Sequence, residues 1–184
     1  MATVQIEGFV KNPDMPYTAM KLKVYRNDVL QSQLPDVSLV YTGDSTAFNF
    51  SYPILAELAD YSFELFGVDS NGEETLEQLA KNVVAGDAYV IQGQSNAVST
   101  SSTPSNPINQ SPFVRVYGYG NEEGHRKAWY VGNGDGGPGT EGNTGQWGLR
   151  LARQIIDHQQ VPVAILNGGH SGQAMTFFLP NAGN

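Results

Sequence analysis

Cysteine is absent from this 184-residue chain, which excludes disulfide staples and thiolate metal sites. Basic charge is scarce: 10 Lys and Arg stand against 18 Asp and Glu, for a net charge of −8. That balance excludes a sequence-independent grip on nucleic acid or on an anionic lipid surface, because like charges repel. Neutral partners such as carbohydrates remain open. Long apolar runs are also missing, and no stretch approaches the ~20 residues needed to span a bilayer. The opening segment, Met1-Ala2-Thr3-Val4-Gln5, has neither the basic n-region nor the apolar core of a secretory signal. The chain is therefore expected to be intracellular, or to have had a signal replaced by a start methionine.

What is present describes a folded protein. Hydrophobic residues make up 40% and charged residues 15%, a mixture that supports a core. The 21 glycines and 10 prolines imply many turns and long loops, and the length suits one large domain or two small ones.

The pattern divides the chain into two. In residues 1–84, Met20-Lys21-Leu22-Lys23-Val24 and Tyr61-Ser62-Phe63-Glu64-Leu65 alternate strictly, as strands with one face in a core do. Residues 37–41 and 46–51 read as further short strands, and residues 73–81 suit a helix or a last strand, with strand preferred. Residues 56–59 suit a helical turn. Turn clusters such as Asn12-Pro13-Asp14 and Asp69-Ser70-Asn71-Gly72 separate the strands, and the spacing predicts a small β-sandwich. In residues 85–184, Ala88-Tyr89-Val90-Ile91 and Pro162-Val163-Ala164-Ile165-Leu166 are apolar without alternation, as in parallel strands covered on both faces. Residues 147–158 fit an amphipathic helix with Leu149, Leu151, Ala152, Ile155 and Ile156 inward. The fold class expected of this part is α/β. Residues 99–112 and 132–145 read as long, substrate-facing loops.

The chemistry concentrates at Gly93-Gln94-Ser95-Asn96, directly after an apolar strand. A glycine there allows a sharp turn, so that the Ser95 hydroxyl stands clear of the fold as a nucleophile. A serine needs a base and an oxyanion site to act. Gly169-His170-Ser171-Gly172-Gln173 approaches the Gly-x-Ser-x-Gly elbow but fails it, because Gln173 stands where the last glycine belongs. His158, after Asp157, reads as a solvated helix-end histidine, and His125 as part of a charged turn. Asn133-Gly134-Asp135-Gly136-Gly137 lacks the ligand spacing of a calcium loop. Trp129, Tyr130 and Trp147 offer aromatic surface for sugar stacking or for core packing.

Residues 84–96, Val-Ala-Gly-Asp-Ala-Tyr-Val-Ile-Gln-Gly-Gln-Ser-Asn, resemble the first block of the sialate O-acetylesterase-like branch of the SGNH hydrolases, which includes acetylxylan-type esterases. Residues 161–172, Val-Pro-Val-Ala-Ile-Leu-Asn-Gly-Gly-His-Ser-Gly, with Phe178-Leu179-Pro180 and with Gly145-Gln146-Trp147-Gly148, extend the resemblance over roughly residues 83–180. It implies a flavodoxin-like, three-layer α/β/α hydrolase domain behind an accessory β-sandwich. It also implies a serine esterase that removes O-acetyl groups from a carbohydrate through an acetyl-enzyme. Ser95 would be the nucleophile, the N–H groups of Ser95 and Gly172 would contribute to the oxyanion hole, and Gln94, Asn96 and His170 would face substrate. Neither a metal nor an organic cofactor is implied. The family's Gln-Gly-Glu-type block and its late Asp-x-x-His are missing from this sequence, so the expectation is the first part of a longer enzyme, inactive alone and with a sticky open sheet edge. The resemblance implies an extracellular or periplasmic setting. The competing class is a non-catalytic carbohydrate-binding or assembly module on the same scaffold.

Overall fold

The computed structural model describes residues 1–11, 17–99, 107–118, 128–134 and 142–180. The chain divides into two compact units, Met1–Ala85 and Gly86–Asn184.

The first unit is all β. Its strands are β1 (Ala2–Lys11), β2 (Ala19–Arg26), β3 (Val29–Gln33), β4 (Val37–Ser38), β5 (Ser45–Ile54), β6 (Tyr61–Val68) and β7 (Glu74–Val83). β1 and β5 form a two-stranded antiparallel sheet, while the order β3-β2-β6-β7, with β4 also on β2, makes a five-stranded one. Alternation decides which side chains enter the core. Met20, Leu22 and Val24 of β2 and Phe63 and Leu65 of β6 are buried with Phe50 and Ile54 of β5. Val4, Ile6 and Val10 of β1 pack against this cluster, and their neighbours Gln5, Glu7 and Phe9 face out.

Three details differ from the sequence expectation. β1 and β3 are strands that the turn signals left unassigned, and β4 is only two residues long. Residues 56–59 bend without forming a helix. The reason is side-chain chemistry, because Glu57 serves as a bridge. Its Oε1 and Oε2 accept from Arg26 Nε and Nη2 at 2.8 and 2.7 Å, and Oε1 also accepts from the Tyr61 hydroxyl at 2.7 Å. One carboxylate thus ties the end of β2 to the start of β6.

The second unit is mixed. β8 (Asp87–Ile91) leads into a single turn of helix α1 (Ser95–Val98); β9 (Val114–Gly118) and β10 (Ala128–Val131) follow, then helix α2 (Gln146–Gln159) and β11 (Val163–Asn167). The sheet order is β10-β9-β11-β8. β11 is parallel to both β8 and β9, and β10 runs antiparallel to β9. α2 buries Leu149, Ala152 and Ile156. It lies close to the sheet at Gly148, where an added Cβ would be 3.0 Å from Ile91 and 3.3 Å from Ile165.

The expectation of strands covered on both faces fails for β8. Ile91 and Ile165 are buried beneath α2, but Val90 on the opposite face is 70% exposed. β11 buries Val163 and Ile165 on one face and half-buries Ala164 and Leu166 on the other. No described helix is long and apolar enough to cross a membrane.

The Glu57 bridge carries a pH signature. Its hydrogen bonds from Arg26 first, and from Tyr61 second, lower the carboxyl from 4.5 to about 2. A folded-state value below the unfolded one means that the unfolded chain binds more protons in that window, so stability falls as pH falls. Glu57→Gln is expected to lower the urea midpoint at neutral pH. The difference from wild type should shrink between pH 4.5 and about 2. A constant difference across that range in urea titrations refutes the assignment.

Candidate active site

The register between β8 and β11 pairs Ile91 with Asn167, so the two parallel strands end level. Their following loops leave from the same edge of the sheet, the end where open α/β sheets gather ligands. The loop after β8 contains Gln92 and Gly93 and enters α1 at Ser95. Gly93 has φ +150°, a conformation that side-chain-bearing residues rarely adopt. Ser95, Gln94 and Asn96 are exposed, and no hydrogen bond to the Ser95 hydroxyl forms among the described residues.

The loop after β11 is fastened to the first one. The Gly168 N–H donates to Ile91 O at 2.8 Å, and the His170 N–H donates to Gly93 O at 2.9 Å. Gly169 sits so close to α1 that an added Cβ would lie 2.7 Å from the Val98 nitrogen. Gly172, two residues beyond His170, turns with φ +76° into open space. The N–H groups of Ser95 and Gly172 donate to no backbone carbonyl among the described residues. His170 is exposed, packs its ring 5.1 Å from that of Phe177, and keeps Nδ1 3.1 Å from Ser171 O.

A residue to which the sequence reading gave no role holds this end together. Asn167, half-buried at the tip of β11, donates its amide to Val98 O at 3.2 Å, Thr144 O at 3.1 Å and, more weakly, Ala97 O at 3.4 Å. Its carbonyl accepts from the Gly169 N–H at 3.0 Å. One side chain therefore joins α1, the segment before α2 and the loop after β11. The available signal was a polar residue closing an apolar strand, where an aliphatic one would have extended it. Trp147 adds a second tie, donating from Nε1 to Asn96 O at 3.3 Å. Its indole thus serves position more than core packing, at 43% exposure.

The expected residues Gln94, Ser95, Asn96, His170 and Gly172 lie on these two joined loops. A base–carboxylate pair is not among them. His158 is in the last turn of α2, ~18 Å along the axis from the helix end that meets Asn96. The described acids of this unit are Asp87 and Asp157. Asp87 begins β8, ~13 Å of strand away from the end that leads to Ser95, and Asp157 is engaged with Arg153 at 2.8 Å. His125 and residues 135–137 of the Asn133–Gly137 stretch lie outside the described residues. Among the described residues no group of three or more His, Asp or Glu is placed to hold a metal ion.

Tyr117 and Trp129 meet edge to face at 5.3 Å between ring centres, paired across β9 and β10. They form an exposed aromatic patch on the sheet. Tyr130 lies on the opposite face of β10.

In comparisons with known proteins, no family model and no curated protein matches the chain.

The Asn167 clamp is directly testable. Asn167→Ala leaves two or three partly buried carbonyls and one N–H without their partner, a loss of about 1–3 kcal/mol. Urea unfolding should register a destabilisation of that size, with amide exchange speeding up in residues 95–99 and 168–170. Unchanged exchange there would mean that the clamp does not organise the loops.

Proposed function

We propose that the chain carries the nucleophile half of a carbohydrate O-acetylesterase of the SGNH type, with Ser95 as the attacking residue. The observation that carries this reading is the 2.9 Å hydrogen bond from the His170 N–H to Gly93 O. It fastens the glycine loop of the second resembling segment to the serine turn of the first, at the ends of neighbouring parallel strands. Ser95 Oγ would attack the acetyl carbonyl as its proton passes to the general base, and the carbonyl π electrons would move onto oxygen as the tetrahedral intermediate forms. The N–H groups of Ser95 and Gly172, which have no backbone acceptor among the described residues, suit an oxyanion contribution. Collapse would break the bond to the sugar oxygen, whose alkoxide takes that proton back from the base, and leave acetyl-Ser95 for water to hydrolyse to acetate. Gln94, Asn96 and His170 would face the sugar.

Three strands, β8, β9 and β11, run parallel in the spatial order β9-β11-β8, and a further parallel strand would add at the outer edge of β8. That edge is unpaired among the described residues. The base and its carboxylate would come from elements beyond those described, and an enzyme of this kind would work outside the cytoplasm, where acetylated glycans lie.

The absence of a described imidazole–carboxylate pair near Ser95 favours one second reading, a non-catalytic module that binds acetylated glycan on the same loops. Acetate release from an acetylated xylan and from an aryl acetate separates the two. Serine esterase sites stripped of a triad member retain about 10³–10⁴-fold catalysis over water, through the oxyanion hole and binding and without need of the serine. The decisive readout is therefore the acetyl-enzyme: incubation with the aryl acetate should acetylate Ser95, as peptide mass mapping reads, and Ser95→Ala should carry no acetyl group there while retaining the wild-type melting temperature. Acetate release with Ser95 unmodified rules out Ser95 as nucleophile. Equal glycan binding by both without any release establishes the module.

A further inference from the structure

The first unit pairs sheets of unequal width, and the mismatch leaves a strand edge open. β1 is ten residues long and hydrogen-bonds only to β5. Its other edge has no strand partner among the described residues. Along that edge runs a groove of about 560 Å³, bordered by six consecutive β1 residues, 6–11, and floored by Met20, Leu22, Phe63 and Leu65. Glu77, Gln78 and Ala80 of β7 form its other wall, so the groove opens between β1 and the edge strand of the wider sheet, with room there for an additional strand. β7, at the corresponding edge of the wider sheet, is exposed along nearly its whole length.

An edge of this kind is a template for strand addition, and its charges select what can be added. The outward face of β1 carries Glu7, Phe9 and Lys11, with Phe9 72% exposed. In antiparallel self-pairing, a register centred on Glu7 sets two carboxylates directly opposite each other, and one centred on Lys11 sets two ammonium groups opposite each other. Both are unfavourable. Centred on Phe9, the strand is self-complementary. Each Glu7 then faces the Lys11 of the second copy, the two Phe9 rings meet between these ion pairs, and each Val10 faces a Gly8 that has no side chain to obstruct it.

We infer that β1 is a homodimerisation edge, at which two copies of this chain pair antiparallel about Phe9 to merge their two-stranded sheets into one of four. In this arrangement the second copy's β1 occupies the groove and lies toward the uncovered β7. The partner is thus another copy, chosen by charge complementarity along residues 7–11. A short strand pair buries less than the ~1,200 Å² of a standard stable interface, so association is expected in the high micromolar range.

The test is sedimentation velocity on the full chain at low salt, up to ~0.5 mM protein, a range that captures weak association. Wild type should show a concentration-dependent monomer–dimer equilibrium. Glu7→Lys and Lys11→Glu each place like charges opposite each other twice in a symmetric dimer, and each should raise the dissociation constant roughly tenfold or more. An equimolar mixture of the two variants recreates both ion pairs and should associate as wild type does. The inference is overturned if wild type stays monomeric, if either variant dimerises undiminished, or if the mixture fails to associate. Should a single variant fail to fold, the double exchange Glu7→Lys with Lys11→Glu keeps the complementarity. Its failure to dimerise would likewise overturn the register.

Discussion

The arrangement at the Ser95 end of the second unit depends on five residues of β11 pairing in parallel with five of β8. Parallel pairing fixes the direction of both chains, and the register fixes their height, so that Ile91 and Asn167 finish side by side. Two loops that leave a sheet at one level can exchange backbone hydrogen bonds at once, and these do: Gly168 to Ile91 and His170 to Gly93. A slip of one residue would turn Ile91 and Ile165 out from under α2. It would also carry the Asn167 amide to the wrong face. The hydrophobic register and the polar clamp therefore specify the same arrangement, and the loops inherit their precision from it.

How far the sequence disclosed this varies with the kind of signal. β2 and β6 were legible because each alternates strictly and buries one face. α2 was legible because its apolar stripe keeps the helical period over fourteen residues. β1 alternates as well, but its glycine and its polar residues dilute the pattern, and β3 has no buried face to generate one. The apolar runs at β8 and β11 identified strands correctly, and that at β8 overstated its burial, since composition does not reveal whether a second layer covers the face bearing Val90. The candidate site was legible only as loops. That Asn167 joins three segments is a long-range fact, set by contacts 69 and 23 residues away in sequence, and no local window contains it.

The two units handle polar groups in contrasting ways. In the first, charged side chains act at strand ends and surfaces. Glu57 ties β2 to β6, and Glu74 takes Lys21 and Lys23 at 2.7 and 2.6 Å. Such part-exposed ion pairs contribute little singly, and their role here is to fix which strand ends meet. In the second, the ties at the loop end are mostly neutral amide–carbonyl bonds, and the described acids, Asp87 and Asp157, stand away from Ser95. For the proposed ester chemistry, the absence of a described carboxylate there would suit a developing oxyanion.

The separation of nucleophile from base has a physical consequence for the proposed chemistry. The position of Ser95 is set by backbone: a glycine turn, a single helical turn, and a neighbouring loop bonded to it. None of these requires a titratable group. In the proposed esterase, nucleophile and oxyanion donors would therefore be preorganised before any base arrives. A base contributed by another element would need to place only its imidazole, against a serine already held. Under that division, loosening the Asn167 clamp and losing the base act on different quantities, geometry in one case and proton transfer in the other. In the proposed enzyme the clamp would then control how well the oxyanion is met, while the base would control how often the serine hydroxyl is activated.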